Sequence, residues 1–137
     1  MKYMRVRRRA AIAALVLFAG GTVYCAIEVM WRGYTHISMA VCGGICFYIM
    51  YLSEAAPRFR ALPLPLRALA GAGIVTAAEF AAGYIVNIRL GLGVWDYSGL
   101  PLSLMGQVCL PYSALWLLLC LAAFPLCDLM RVYIFGG

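Results

Sequence analysis

Residues 10–31 read AAIAALVLFAGGTVYCAIEVMW, and this apolar run sets the class of the whole molecule. Its only acidic residue is Glu28, near the far end, and about 20 apolar residues are enough for a helix to cross the hydrocarbon core of a bilayer. A cleaved signal peptide has a shorter apolar core, of about 7–15 residues. The sequence therefore predicts a retained transmembrane helix, preceded by the basic residues Lys2, Arg5, Arg7, Arg8 and Arg9.

The composition of the whole chain also indicates a membrane protein. Of the 137 residues, 66% are hydrophobic and 12% are charged, and the mean hydropathy is +0.93. Soluble domains are about half apolar and about a quarter charged. The chain has too few charges to coat a soluble globule, which excludes a soluble cytosolic enzyme, an RNA-binding domain and a disordered tail. Its basic start leads directly into an apolar run, so we expect a lipid partner there and no nucleic acid.

Four apolar stretches are predicted to cross the bilayer, all within one transmembrane domain, residues 1–137. Pro111 is expected to kink the fourth stretch and Pro125 to close it, because proline removes a helical hydrogen bond. The predicted fold is therefore an all-α, four-helix membrane bundle. The approximate bounds of the four spans are 10–31, 37–52, 66–88 and 102–126.

Two similar halves suggest an internal repeat. In the first half Glu28 precedes Gly43-Gly44-Ile45-Cys46, and in the second half Glu79 precedes Gly106-Gln107-Val108-Cys109. Each half would be a helical hairpin with two spans, so the repeats would run parallel. The alternative is coincidence in a chain rich in glycine and alanine, and the sequence leaves both open.

The basic residues predict the orientation. Of the eleven Lys and Arg residues, all but Arg32 and Arg89 fall on the side that holds both termini and the loop between the second and third spans. Cytoplasmic loops carry an excess of Lys and Arg. Both termini are therefore expected in the cytoplasm.

Glu79 is the acidic residue predicted to lie deepest in the membrane. An acid at such a depth costs about 2.5–3.5 kcal/mol on insertion scales and is a functional candidate by default. Small residues surround it on its helix face, and Asn87 extends that face toward the outside. We expect Glu79 to be either protonated or hydrogen-bonded by other helices, with Gln107 and Thr76 as the donors. The alternative is a purely structural glutamate.

The loop 89–101, RLGLGVWDYSGLP, is the most distinctive connection. Asp96 lies between the aromatic residues Trp95 and Tyr97, and Ser98 follows them. One interpretation is a lid over a polar pocket that reaches Glu79. The other is a local turn in which Asp96 and Ser98 bond to nearby backbone groups.

Further candidates lie near the same membrane boundary. Glu28 and Arg32 have the i, i+4 spacing and the order of a favourable helical ion pair. Gln107 precedes Pro111 by four residues, so the expected kink would free the Gln107 carbonyl group beside its own amide side chain. The Gln107 carbonyl and amide groups, together with Asn87, are therefore predicted to form a small polar cluster that binds a ligand. The alternative is that the kink serves helix packing only and binds no ligand.

The cysteines and the single histidine predict neither a metal nor a cofactor. Cys42 and Cys46 are spaced by four on one helix, but a structural zinc site needs four ligands and no second pair of that spacing follows. We expect the six cysteines to be small, buried residues of the spans.

One run carries a family resemblance: Gly83-Tyr84-x-x-Asn87-x-x-Leu90-Gly91-x-x-Val94-Trp95-Asp96-Tyr97-Ser98-x-x-Pro101-x-Ser103-x-x-Gly106-Gln107-Val108-Cys109. It resembles the Putative ABC-transporter type IV family, which consists of small, mainly bacterial, multi-pass membrane proteins. The resemblance implies transport and a bacterial plasma (inner) membrane. The chain lacks the G-x-x-x-x-G-K-[ST] loop that cradles phosphates, so any ATP hydrolysis would need a separate partner subunit.

Three functional classes follow from these observations. The first is a transporter, channel or permease-like subunit for an ion or small polar solute, with Glu79 and the loop as its site. The second is a non-catalytic membrane scaffold or assembly factor, and the third is a membrane-embedded lipid or quinone enzyme. Four helices barely enclose a path, so we expect a homo-oligomer through the small residues Gly73, Ala77 and Ala81.

Overall fold

The computed structural model describes residues 1–136, which form an all-helical fold; no strand forms within them. The last turns of two helices widen into π-helix, at Tyr84–Arg89 and at Met130–Ile134. The predicted all-α class is therefore confirmed. The helices are α1, Lys2–Arg32; α2, Ile37–Ser53; α3, Pro57–Arg60; α4, Leu64–Gly83; and α5, Leu110–Leu129.

Three of these helices are long and apolar enough to cross a membrane. They are α1, α4 with its π-helical extension, and α5 with its extension, whereas α2 is a shorter apolar helix of 17 residues. Large apolar side chains, such as Phe18, Leu69 and Leu118, point away from the bundle. A soluble protein of this size does not expose so much apolar surface to water, whereas a bilayer accommodates such a surface. The chain is therefore a membrane protein.

Glycines bring the backbones of α1 and α2 into direct contact. A Cβ atom at Gly44 would lie 2.7 Å from the carbonyl oxygen of Leu17, and one at Gly21 would lie 2.8 Å from that of Ala40. Neither position has room for a side chain. In lipid the hydrophobic effect does not drive helices together, so their association depends on close packing, which small residues allow.

An ionic cluster, defined here as Glu54, Arg67 and Asp128, joins α2, α4 and α5 at the end of the bundle that holds the termini. The Arg67 Nη1 atom lies 2.8 Å from the Glu54 Oε1 atom and 3.9 Å from the Asp128 Oδ2 atom. The Glu54 side chain is 0% exposed. Its burial raises the pKa of Glu54 above the ordinary value, although the hydrogen bond from Arg67 opposes this shift.

The last long helix begins later and ends later than the sequence indicated. It starts at Leu110 rather than near Leu102, because Leu102, Met105 and Gly106 have left-handed backbone conformations that no helix contains. Pro111 therefore lies in the first turn, where a missing N–H costs nothing, and the expected kink at this residue is wrong. The helix also continues past Pro125, so that residue does not close it.

The two motifs of the suggested repeat lie in different structures. Residues 43–46 are in the middle of α2, whereas residues 106–109 form the non-helical segment before α5. The hairpins nevertheless share one feature, since Glu28 and Glu79 both lie in the first helix of their hairpin and both are buried.

Candidate functional site

Residues 90–109, here named the WDYS loop, fold over the ends of α4 and α5. Gly91, Gly93 and Gly106 have positive φ angles, which glycine adopts without strain. The Tyr97 backbone N–H donates to the Gly106 carbonyl oxygen at 2.8 Å, and this bond ties the two sides of the loop together. As a result, Trp95 and Tyr97 point inward and are buried.

Glu79 lies in the middle of this region and is held by two neutral donors. The Tyr97 hydroxyl donates to Glu79 Oε1 at 2.9 Å, and the Trp116 indole N–H donates to Glu79 Oε2 at 3.0 Å. The glutamate is only 1% exposed. A side chain of α4 is therefore bonded to both the WDYS loop and α5.

Aromatic rings surround the Glu79 carboxyl group. The ring of Tyr97 stacks on that of Tyr112, with centroids 4.5 Å apart and planes inclined by 10°. The ring of Tyr24, on α1, lies 5.5 Å from that of Trp116. These contacts hold the two donor groups in place.

A second network fixes the WDYS loop to the π-helical end of α4. The Asn87 amide donates to Gln107 Oε1 at 2.8 Å, and Asn87 Oδ1 accepts from the Val94 backbone N–H at 2.7 Å. The Trp95 indole N–H donates to the Gln107 carbonyl oxygen at 3.0 Å. Gly83 makes room for this network, because a Cβ atom there would collide with Gln107 and Trp95.

Glu28 and Arg32 form the expected ion pair on α1, with 2.6 Å between Arg32 Nη2 and Glu28 Oε2. Arg32 also donates from Nη1 to the Val94 carbonyl oxygen at 3.4 Å. The guanidinium group lies 4.7 Å from the centre of the Tyr34 ring. The pair therefore links the first hairpin to the WDYS loop.

Asp96 and Ser98 form a local turn at the surface of the loop. The Ser98 backbone N–H donates to Asp96 Oδ1 at 2.9 Å, and this bond holds the pKa of Asp96 below its ordinary value. Asp96 and Ser98 are exposed, whereas Glu79 is buried. Tyr97, not Asp96, is the loop residue that reaches Glu79.

A cavity of about 180 Å³ extends from Glu79 between the helices. Its walls come from α1, α2, α4 and α5 and are almost entirely apolar, with Tyr24, Cys42, Cys46 and Cys120 among the lining residues. Glu79 is therefore the one acidic residue in the wall of a mostly apolar cavity.

Asn87, Gln107 and Glu79 were predicted to be polar residues of this region, but the hydrogen-bond donors predicted for the Glu79 carboxyl group are wrong. Thr76 shares a hydrogen bond with Ser113, and Gln107 bonds to Asn87, so neither holds the carboxyl group. The actual donors are Tyr97 and Trp116, which no sequence pattern had indicated. One signal was present for Trp116, since an indole N–H within an apolar helix needs an acceptor.

A comparison with known families accounts for most of the chain. Residues 21–134 match the model of the family described as Putative ABC-transporter type IV. No curated protein and no solved structure matches the chain. The matched range contains the last part of α1, the whole of α2, α4 and α5, Glu79 and the whole WDYS loop. The chain therefore belongs to the Putative ABC-transporter type IV family.

Proposed function

We propose that this protein is the membrane-embedded subunit of a transport system and that Glu79, with the WDYS loop, forms its solute site. The single observation that carries the proposal is the Tyr97–Glu79 hydrogen bond, which connects a loop outside the helices to a buried acid within them. The family and the long apolar helices support a transport-related membrane protein. The solute would be an ion or a small molecule with a polar group.

The proposed mechanism uses competition for the Glu79 carboxyl group. A solute that bonds to this carboxyl group takes the place of Tyr97, and the WDYS loop then loses its deepest attachment. Asn87, Gln107 and the Trp95 indole would keep the rest of the loop on α4, so the loop would act as a lid. Arg32, paired with Glu28, would hold the same part of that lid through the Val94 carbonyl oxygen.

Glu79→Gln should keep the fold and lose transport. The Tyr97 hydroxyl can either donate or accept, so it can bond to the new amide while Trp116 donates to the remaining oxygen. A charge-assisted hydrogen bond to the solute is worth about 1.5–3 kcal/mol, and its loss lowers flux about tenfold or more. Purified protein in lipid vesicles, screened with ions and small solutes, provides the measurement.

The matched control for this experiment is Asp128→Asn, an acid-to-amide change at the other end of the bundle that should leave flux unchanged. If Glu79→Gln carries solute as fast as the unchanged protein, Glu79 is not the solute site. If Glu79→Gln unfolds, the glutamate is structural. That second outcome favours the scaffold function, for which the two protein donors on Glu79 are the supporting observation.

We further propose that four helices cross the bilayer, as two hairpins with both termini in the cytoplasm of a bacterial cell. The asymmetry of the Lys and Arg residues supports this orientation. A separate subunit would supply ATP hydrolysis, and no nucleic acid takes part. Cysteines introduced at the exposed positions Ser98 and Gly99 should react with an impermeant reagent from outside, and protection there would contradict the orientation.

A homo-oligomer is proposed through one face of α4. Gly73, Ala77 and Ala81 are exposed on this face, and a Cβ atom at Gly73 would meet open space. Gly73→Leu should therefore leave the single chain folded but keep two copies apart. The particle mass in mild detergent tests this, since an unchanged mass would remove this face from the interface.

A further inference from the structure

The cavity at Glu79 opens toward lipid between two helices that make little contact. α1 packs mainly on α2, and α4 packs mainly on α5. Val23 of α1 and Ala122 and Leu126 of α5 line the cavity and are exposed. A molecule dissolved in the bilayer can therefore enter sideways without passing the WDYS loop.

The size and lining of the cavity restrict the size and polarity of the molecule that it can bind. A cavity of about 150 Å³ lined by apolar side chains admits benzene. The cavity here measures about 180 Å³, and its walls include Ala19, Val75 and Leu119. The space suits an apolar group about the size of one aromatic ring and does not suit a sugar or a hydrated ion.

The charges around Glu79 indicate which head group a bound molecule would carry. Glu79 accepts hydrogen bonds on both oxygens from neutral donors. Among residues 1–136, the ion pairs that form involve Glu28, Glu54 and Asp128 but not Glu79. Buried carboxylates are normally paired with a cation. A positively charged head can therefore bind the carboxylate in place of the neutral Tyr97 hydroxyl.

The aromatic ring of Tyr24 strengthens the preference for a cation. Tyr24 lines the cavity, and its ring lies 5.5 Å from the ring of Trp116, which itself bonds to Glu79. The faces of aromatic rings attract ammonium groups, most strongly where water is excluded. The carboxyl group and the Tyr24 ring therefore favour the same kind of head group.

We propose that this cavity binds a lipophilic amine, which enters from the bilayer and lies with its ammonium group at Glu79 and its apolar body between α1 and α5. The inference rests on the proposed function, since it names the class of solute for the same site. It also explains why one acid lies in an otherwise apolar cavity.

The test compares benzylamine with benzyl alcohol, two molecules of similar shape that differ in charge. Both are added to the protein in nanodiscs of zwitterionic lipid, and binding is measured by ligand-observed NMR with empty nanodiscs subtracted. We expect benzylamine to bind the unchanged protein about tenfold more tightly than the alcohol, the effect of one charge-assisted hydrogen bond. Glu79→Gln should weaken binding of the amine alone and remove this difference.

Two further variants separate the cavity from the charge. Ala123→Phe fills the cavity and should remove binding of both molecules, whereas Asp128→Asn should change neither. Equal binding of the amine and alcohol to the unchanged protein would overturn the inference, as would a preference that survives Glu79→Gln. Binding unaffected by Ala123→Phe would also overturn it.

Failure of this inference can be told apart from failure of the proposed function. Absence of amine binding, together with a flux of another solute that needs Glu79, overturns the lipophilic amine and leaves the transport proposal standing. Amine binding that needs Glu79, without flux of any solute, supports the binding site and contradicts transport.

Discussion

Arg67→Met should lower the free energy of unfolding by about 3–5 kcal/mol, because removing one partner of a buried ion pair leaves the other charge uncompensated. Here the remaining charge would be Glu54, whose side chain is 0% exposed and lies 2.8 Å from Arg67. Asp128 would add repulsion, since the Arg67 Nη1 atom that now lies near both acids would be gone. Unfolding by denaturant in mixed detergent micelles gives the measurement.

The loss in Arg67→Met should depend on pH with a definite sign. Without the opposing hydrogen bond, burial raises the pKa of Glu54 further, and the folded variant then binds more protons than the unfolded chain. Stability of the variant should therefore recover as the pH falls and decline as it rises. Arg58→Met, at an exposed position of α3, is the control and should change stability by less than about 0.5 kcal/mol. A loss equal to that control would show that the ionic cluster does not hold the helices together.

Gly44→Val should separate α1 from α2. The new Cβ atom would lie 2.7 Å from the Leu17 carbonyl oxygen, and a backbone atom cannot move aside without shifting all of α1. Overpacking of this kind costs about 1–3 kcal/mol or more. Because α1 also carries Tyr24, the wall of the cavity should move with it. We therefore expect a lower melting temperature in detergent and weaker binding of benzylamine.

The control for Gly44→Val is Gly73→Val, which makes the same change in α4. A Cβ atom at Gly73 meets no atom within 4 Å, so the melting temperature of the single chain should hold or rise slightly. Equal melting temperatures in the two variants would contradict the close contact between α1 and α2.

The sequence alone was sufficient for the class of fold and for one local pair. A long apolar run is a direct consequence of bilayer thickness, so residues 10–31 had one reasonable interpretation. The pair formed by Glu28 and Arg32 depends only on helical spacing, and the structure contains it. Both predictions use local rules that do not require the tertiary arrangement.

The partners of Glu79 needed the tertiary arrangement. Tyr97 lies 18 residues from Glu79 and Trp116 lies 37 residues away, and no periodic pattern relates positions in a loop to positions on two helices. The start of α5 was also hidden, because positive φ angles at Leu102 and Met105 have no signature in residue type. Asn87 and Gln107 were predicted to lie at the same depth because of an expected kink at Pro111. That kink does not exist, but the two side chains are hydrogen-bonded to each other.

The central claim is that the solute contacts the carboxyl group of Glu79, and infrared difference spectroscopy of the protein in lipid tests it most directly. The spectrum is recorded as a solute carried in the vesicle screen is added, and the Glu79 band is assigned by its absence in Glu79→Gln. We expect this band to shift when the solute replaces the Tyr97 hydroxyl. A band that stays unchanged while a carried solute binds would contradict it.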